Sequence, residues 1–350
     1  MVKLLASAVS AALFATAAAA SAENWADNRD SITMGREYAR SKAICRGLKD
    51  VSALPHPSTP SSAAAPSPKR SSSEALYYGI GVPADPARAL QQALRERTAP
   101  DNDAAFSGDV VLMTIYANGL GAPRDLNRAI AIACNLDGAP AEEDGRVNHL
   151  AALKAQSWTG HDFSFCDDVT SGFAQGLCAA HFAAMEDAKR KQQISAVTAG
   201  WSGTEKRAFL SLQQAAAGFA KAHGNNEVDL SGTARAAMVT DEQQGQETEF
   251  RDFLQSLEKG TAPVSTAEQA DAAEAKLNAE YQRIQHAADT ASWGTVTKDG
   301  IRIAQRAWLR YRDAWIAFAR VRYPAIASDS LRAALTEKRT AMLGTFLQPS

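Results

Sequence analysis

Four cysteines and six histidines are the residues of this chain best suited to chemistry, and their spacing decides what they can do. Cys45, Cys134, Cys166 and Cys178 form no Cys-x-x-Cys pair, so the usual thiolate clamp for zinc is missing. The histidines are scattered and give no His-Glu-x-x-His, so no helix-borne metal site is encoded. There is no Gly-x-Ser-x-Gly, and no cysteine sits in a helix-start signature with a histidine partner. Arg312 and Asp313 resemble a catalytic pair only on paper. Neighbours in sequence point to different sides of a helix, so each is better placed for its own salt bridge or interhelix contact. Gly79/Gly81 and Gly119/Gly121 lack the Gly-x-Gly-x-x-Gly order and a preceding strand, so they do not cradle a nucleotide. The residues imply no enzyme, no metal and no cofactor.

Sulfur then has a structural task. An even number of cysteines in an exported chain implies two disulfides, with three possible pairings. Cys166 and Cys178 flank one loop-to-helix junction and are the expected first pair; Cys45 with Cys134 follows by elimination. Export is read from the opening MVKLLASAVSAALFATAAAASA. Lys3 supplies the positive start, Leu4 to Ala19 the apolar stretch, and Ala20-Ser21-Ala22 a small-x-small cleavage site. Residues 1–22 are therefore expected to be removed, leaving a periplasmic or secreted protein. No later apolar run is long enough to span a bilayer, so membrane insertion after cleavage is not expected. The formal charge of −2 over 350 residues shows no nucleic-acid or membrane-surface footprint in the total.

The elements that position these residues all read as helical. In Gln305–Phe318, Trp308, Tyr311, Trp315 and Phe318 recur at spacings of 3, 4 and 3, one stripe of a helix that should form the core of its domain. Residues 23–50 carry a helix over 24–48, with Asp27 or Asp30 near its start and Trp25, Ile32, Ile44 and Leu48 buried. Residues 51–73 are rich in Pro, Ser and Ala and read as a flexible linker, because they cannot bury enough apolar surface to offset ordering. Over 74–157 a repeat appears. Gly79, Gly81, Pro83, Asp85, Arg88 and Ala89 recur 40 residues later as Gly119, Gly121, Pro123, Asp125, Arg128 and Ala129, a period typical of solenoids. The glycines end a helix and turn the chain, the aspartates cap the next helix, and the alanines admit close packing.

Ser202-Gly-Thr-Glu205 and Ser265-Thr-Ala-Glu268 read as capping boxes opening two further helices. Between them they organise segments 162–260 and 264–347. The first is expected to hold helices over 172–198, 203–224 and 233–259. In the second, Leu277, Tyr281, Ile284 and Ala288 line the opening helix. The aromatic helix stops at Pro324, and Ser328 or Asp329 caps the last. A shift of 99 residues lays Phe209 on Trp308, Leu212 on Tyr311 and Phe219 on Phe318, so the two segments read as tandem copies of one three-helix unit. The fold class expected is all-α: a short repeat region followed by two tandem three-helix bundles.

Two resemblances follow from these motifs. Tyr116-Ala117-Asn118-Gly119-Leu120-Gly121 with Asp125 and Ala129 resembles Sel1-like repeats, which implies helix pairs presenting a concave surface to protein partners. Glu274 to Tyr281, Gln305 to Asp313 and Leu335 to Leu343, in that order, look like the LprI-type lysozyme-inhibitor domain, with Leu277, Tyr281, Trp308, Tyr311, Trp315 and Phe318 as its core. Phe165-Cys166 to Cys178 resembles the same family's opening. Family members usually carry several cysteines; here Ser265 and Trp315-Ile316 stand in such places, so apolar packing must hold this unit. The resemblance implies a protein that blocks a lysozyme cleft, its partner a c-type lysozyme or another envelope protein. Segment 162–260 has 14 acidic and 9 basic residues, and segment 264–347 has 9 and 12. Typical lysozymes are basic, so the acidic segment, around Glu227, Asp229, Asp241, Glu242, Glu247 and Glu249, is the expected contact surface. The other reading is a periplasmic scaffold that docks envelope proteins through the repeats.

Overall fold

A computed structural model describes residues 24–28, 37–48, 71–97, 105–106 and 108–348. The signal segment, Asp30, Ile32 and linker residues 51–70 lie outside the described residues. Among the described residues every regular element is a helix, as the all-α reading requires.

The N-terminal part differs from the single helix expected over 24–48. Trp25–Asp27 is one 3-10 turn, and Asn28 leaves it with extended backbone (φ −57°, ψ 119°). The helix proper is α1, Ala39–Gly47. Trp25 is buried, and its indole N–H donates to Ser41 Oγ at 2.8 Å, so the turn is held by tertiary contact rather than by helix continuity.

The repeat forms α2 (Ser73–Tyr78), α3 (Pro86–Arg97), α4 (Asp109–Asn118) and α5 (Leu126–Ala133), followed by α6 (Pro140–Ala155). Its two copies make the same bonds. α2 and α4 end on Gly79 and Gly119 in the left-handed region, at φ 73° and 70°. The N–H of Asp85 donates to Leu76 O at 2.7 Å, and that of Asp125 to Tyr116 O at 2.9 Å. The two aspartate side chains then accept from the N–H of Arg88 and Arg128, at 3.0 and 2.9 Å. The second turn rests directly on the first copy. A Cβ built on Gly121 would stand 2.4 Å from the carbonyl oxygen of Pro86.

Two disulfides tie this region together. Cys45–Cys134 joins α1 to the end of α5, and Cys166–Cys178 joins the 3-10 turn Phe165–Asp168 to α7 (Gly172–Thr198). Helix α7 continues into the rest of the molecule. Its start is held by Glu142, which accepts from the N–H of Thr170 and Ser171 at 2.9 and 2.6 Å. One turn past Cys178, His181 Nδ1 lies 2.6 Å from Glu74 Oε1, with its ring stacked 4.1 Å from that of Phe106.

The remaining helices are α8 (Gly203–Asn226), α9 (Arg235–Glu258), α10 (Ala267–His286), α11 (Lys298–Arg322) and α12 (Ser328–Gly344). Ser202 and Glu205 form the expected capping box. The second box is displaced by one residue, to Thr266 and Gln269, because the N–H of Ser265 donates instead to Ser330 Oγ at 2.9 Å. Ala327 occupies the cap of α12, with no side-chain bond, so neither Ser328 nor Asp329 caps it. Ala288 lies beyond the end of α10 and is exposed.

The helices of the two expected three-helix units are all present, and they share their cores. α8 and α11 run antiparallel along each other, with ring centroids of Phe209 and Phe318, and of Phe219 and Tyr311, each 5.5 Å apart. α9 packs on both α7 and α8, and α12 on both α10 and α11. The cores are pooled. One joins Phe209, Leu254, Trp315, Phe318 and Leu335; the other joins Phe219, Leu277, Trp308 and Leu343. The aromatic stripe of α11 is buried, but it serves both.

Gly121→Ala is expected to destabilise the protein by about 2 kcal/mol or more, through strain at positive φ and the clash with Pro86. Gly218→Ala, at an open helical position on α8, should stabilise by up to about 1 kcal/mol. Thermal melts of the two variants check both signs.

Candidate partner-binding surface

The six acidic residues expected to form a contact surface do not act together. Glu227 is corrected outright: its side chain is fully buried at the end of α8. There it accepts from Arg339 Nη2 and Nη1 of α12 at 2.6 and 2.8 Å, and lies 2.6 Å from His223 Nδ1. The other ring nitrogen of His223 is 2.6 Å from Glu242 Oε1 of α9, and Arg339 Nε donates to Gln305 Oε1 of α11 at 2.8 Å. Each imidazole nitrogen faces a carboxylate, so the arrangement suits an imidazolium. Burial opposes that charge, but the hydrogen bonds and charges of Glu227 and Glu242 outweigh it and raise the His223 pKa. Burial also penalises charge on Glu227, yet Arg339 and His223 hold its carboxyl below the usual range.

Asp229 is exposed but committed. It accepts from the N–H of Ser231 and Thr295 at 3.0 and 2.9 Å, pinning the loop after α8 to the loop before α11. The bonds from Ser231 and Thr295 pull its pKa down to about 2. Glu247 accepts from Arg190 Nη2 of α7 at 2.7 Å; burial and the neighbouring Asp187 raise its carboxyl. Glu249 pairs with Lys338 of α12 at 2.8 Å and remains exposed. Asp241 is exposed on the same stripe of α9.

Beside Glu247 lies a groove of about 320 Å³ between α7 and α8. Ala216 and Ala217 of α8 and Arg190 and Ile194 of α7 border it. Phe219, Phe250 and Tyr311 line it, and its volume is at the small end of the range for ligand sites. Arg190 also donates to Gln244 Oε1 at 2.7 Å and to Asp187. Such a groove can receive an apolar side chain of a protein partner. The family-motif residues Leu277, Trp308, Trp315 and Phe318 are buried core, with Tyr281 and Tyr311 half-buried beside them.

Residues 260–343 match the family model described as Lysozyme inhibitor LprI. The match spans α10 and α11 and runs to the last turn of α12. No curated protein and no solved structure matches the chain.

The His223–Glu227–Arg339 network was not anticipated. His223 and Glu227 are four apart, a spacing that could have flagged the first link. Nothing local announces Arg339, 112 residues away. Arg339→Met would leave the buried Glu227 carboxylate with His223 as its one remaining charged partner and should cost about 3 kcal/mol or more. His223 has a folded pKa above its unfolded value. Its contribution is therefore complete below the unfolded pKa of about 6.5 and is lost as pH rises through the folded value. The melting-temperature gap between wild type and His223→Gln should be wider at about pH 5.5 than at about pH 9.

Proposed function

We propose that this is an exported protein of the lysozyme-inhibitor type, working by contact rather than by chemistry. The match of residues 260–343 to the LprI family carries the reading. Two disulfides suit an oxidising compartment, periplasmic or extracellular. Among the described residues no helix is long and apolar enough to cross a membrane. The family's usual cysteines are absent from this unit, and other contacts do the tethering. Ser265 binds Ser330 at the start of α12, and Trp315 is fully buried where α8, α9 and α11 meet.

The contact face we favour is the exposed stripe of α9 with Asp241 and Glu249, next to the groove beside Glu247. Negative charge there steers a basic c-type lysozyme, and the groove gives one of its side chains a seat. A second reading, a scaffold for envelope proteins, is favoured by the geometry of the 40-residue repeat. Its two copies share one set of turn and cap bonds, as Sel1-like helix pairs would. A concavity of about 640 Å³ lies at the first turn, among Val82, Pro83 and Pro86.

Purified protein at about micromolar concentration should inhibit cell-wall lysis by a c-type lysozyme. Asp241→Lys/Glu249→Lys should weaken inhibition about tenfold or more, since both side chains are exposed and reversal removes the steering charge. Unchanged lysis at that concentration would exclude the inhibitor reading and leave the scaffold.

A further inference from the structure

The near-neutral total charge conceals a segregated one. α8 and α11 lie side by side, and the stripes that the two helices leave uncovered make up the outer face of the pair. On this face stand Arg207, Lys221, Arg306, Arg310 and Arg320, all exposed and none within ion-pair distance of a carboxylate. Arg302 adds a sixth cation, paired with Asp299. The only other carboxylate on the face, Asp313, is engaged by its neighbour Arg312, contrary to the expectation of separate partners, because the long guanidinium reaches both Asp313 and Glu274. α8 itself carries one acidic residue, Glu205, and that one binds Arg322.

Leu210, Ile303 and Val321 are exposed on this face, at 57%, 54% and 40%. They are three of the eight exposed large apolar residues among those described, interleaved with the free cations. No exposed aromatic ring accompanies them, so the face has nothing on which to stack unpaired bases. Long cationic side chains around protruding aliphatic ones, on a surface about 36 Å long, suit a lipid headgroup layer. The guanidinium and ammonium groups reach anionic headgroups while the aliphatic tips enter the acyl boundary.

We propose that the exposed face of the α8–α11 pair is a peripheral docking surface for an anionic phospholipid membrane. The contact is superficial and reversible, and it needs no membrane-spanning segment.

Co-sedimentation with vesicles tests it. The full chain should bind phosphatidylcholine vesicles containing about 30% phosphatidylglycerol, bind pure phosphatidylcholine far less, and release as salt screens the headgroups. Arg306→Glu/Arg310→Glu/Arg320→Glu should weaken binding about tenfold or more. Leu210→Ser/Ile303→Ser should weaken it to a smaller extent at the same salt. Should the reversal variant fail to fold by circular dichroism, Arg306→Gln/Arg310→Gln/Arg320→Gln reads the same loss. Equal binding by wild type and these arginine variants overturns the proposal. So does binding to a short duplex DNA with none to anionic vesicles, which would assign the face to a soluble polyanion.

Discussion

Helix α11 is apolar around more of its circumference than a single neighbour can cover. Trp308 points into the core shared with α10 and α12, whereas Trp315 and Phe318 point into the core shared with α8 and α9. All three are essentially fully buried. Large aromatic rings dominate the apolar area of a core, so leaving one flank open would forfeit much of what holds the helices together. The architecture follows from this demand. The segment that matches the inhibitor family does not cover its own aromatic stripe, and helices outside that segment complete it. α7–α9 thus shares its core with the matched segment, and α7 runs on to the disulfide-tied repeat.

Burial of charge follows the same logic. Arg339 and Glu227 are both withdrawn from water, which costs more than an exposed pair would, and the deficit is offset by bidentate geometry plus bonds from His223 and Gln305. Such a network adds little net energy over apolar packing, but it penalises any rotation of α12 or α8 that separates its members. It lies where four helices meet, α8, α9, α11 and α12, and so sets their relative rotation more tightly than aromatic rings alone, which tolerate sliding.

Much of this was legible from residue spacing. The aromatic stripe identified α11 as a core helix, and the glycine–aspartate repeat gave turns and caps that the structure reproduces bond for bond. Ser202 and Glu205 marked the start of α8 correctly because both capping partners are local. Ser265 misled because its backbone N–H is taken by Ser330, 65 residues away, a contact no local pattern reports. The acidic segment was only partly legible for a related reason. Composition counts carboxylates but does not say which ones face a cation. Glu227 and Glu247 meet Arg339 and Arg190 only after the helices have packed, so a segment acidic in sequence presents few free carboxylates to solvent.

Pairing inside the fold also shapes the whole surface. Carboxylates used inside the fold leave the outward-facing arginines of α8 and α11 uncompensated, although the chain total stays near neutral. Asp241 lies on the side of α9 turned away from Val239, Gln243 and Phe250, the residues that touch α8, whereas Glu249 faces Lys338 of α12. The remaining exposed acids of α9 and the free cations of the α8–α11 pair therefore look in different directions. Each face can then meet a partner of opposite sign without cancelling the other. With the basic face against an anionic surface, α9 and the groove beside Glu247 would remain open to a basic protein arriving from solution.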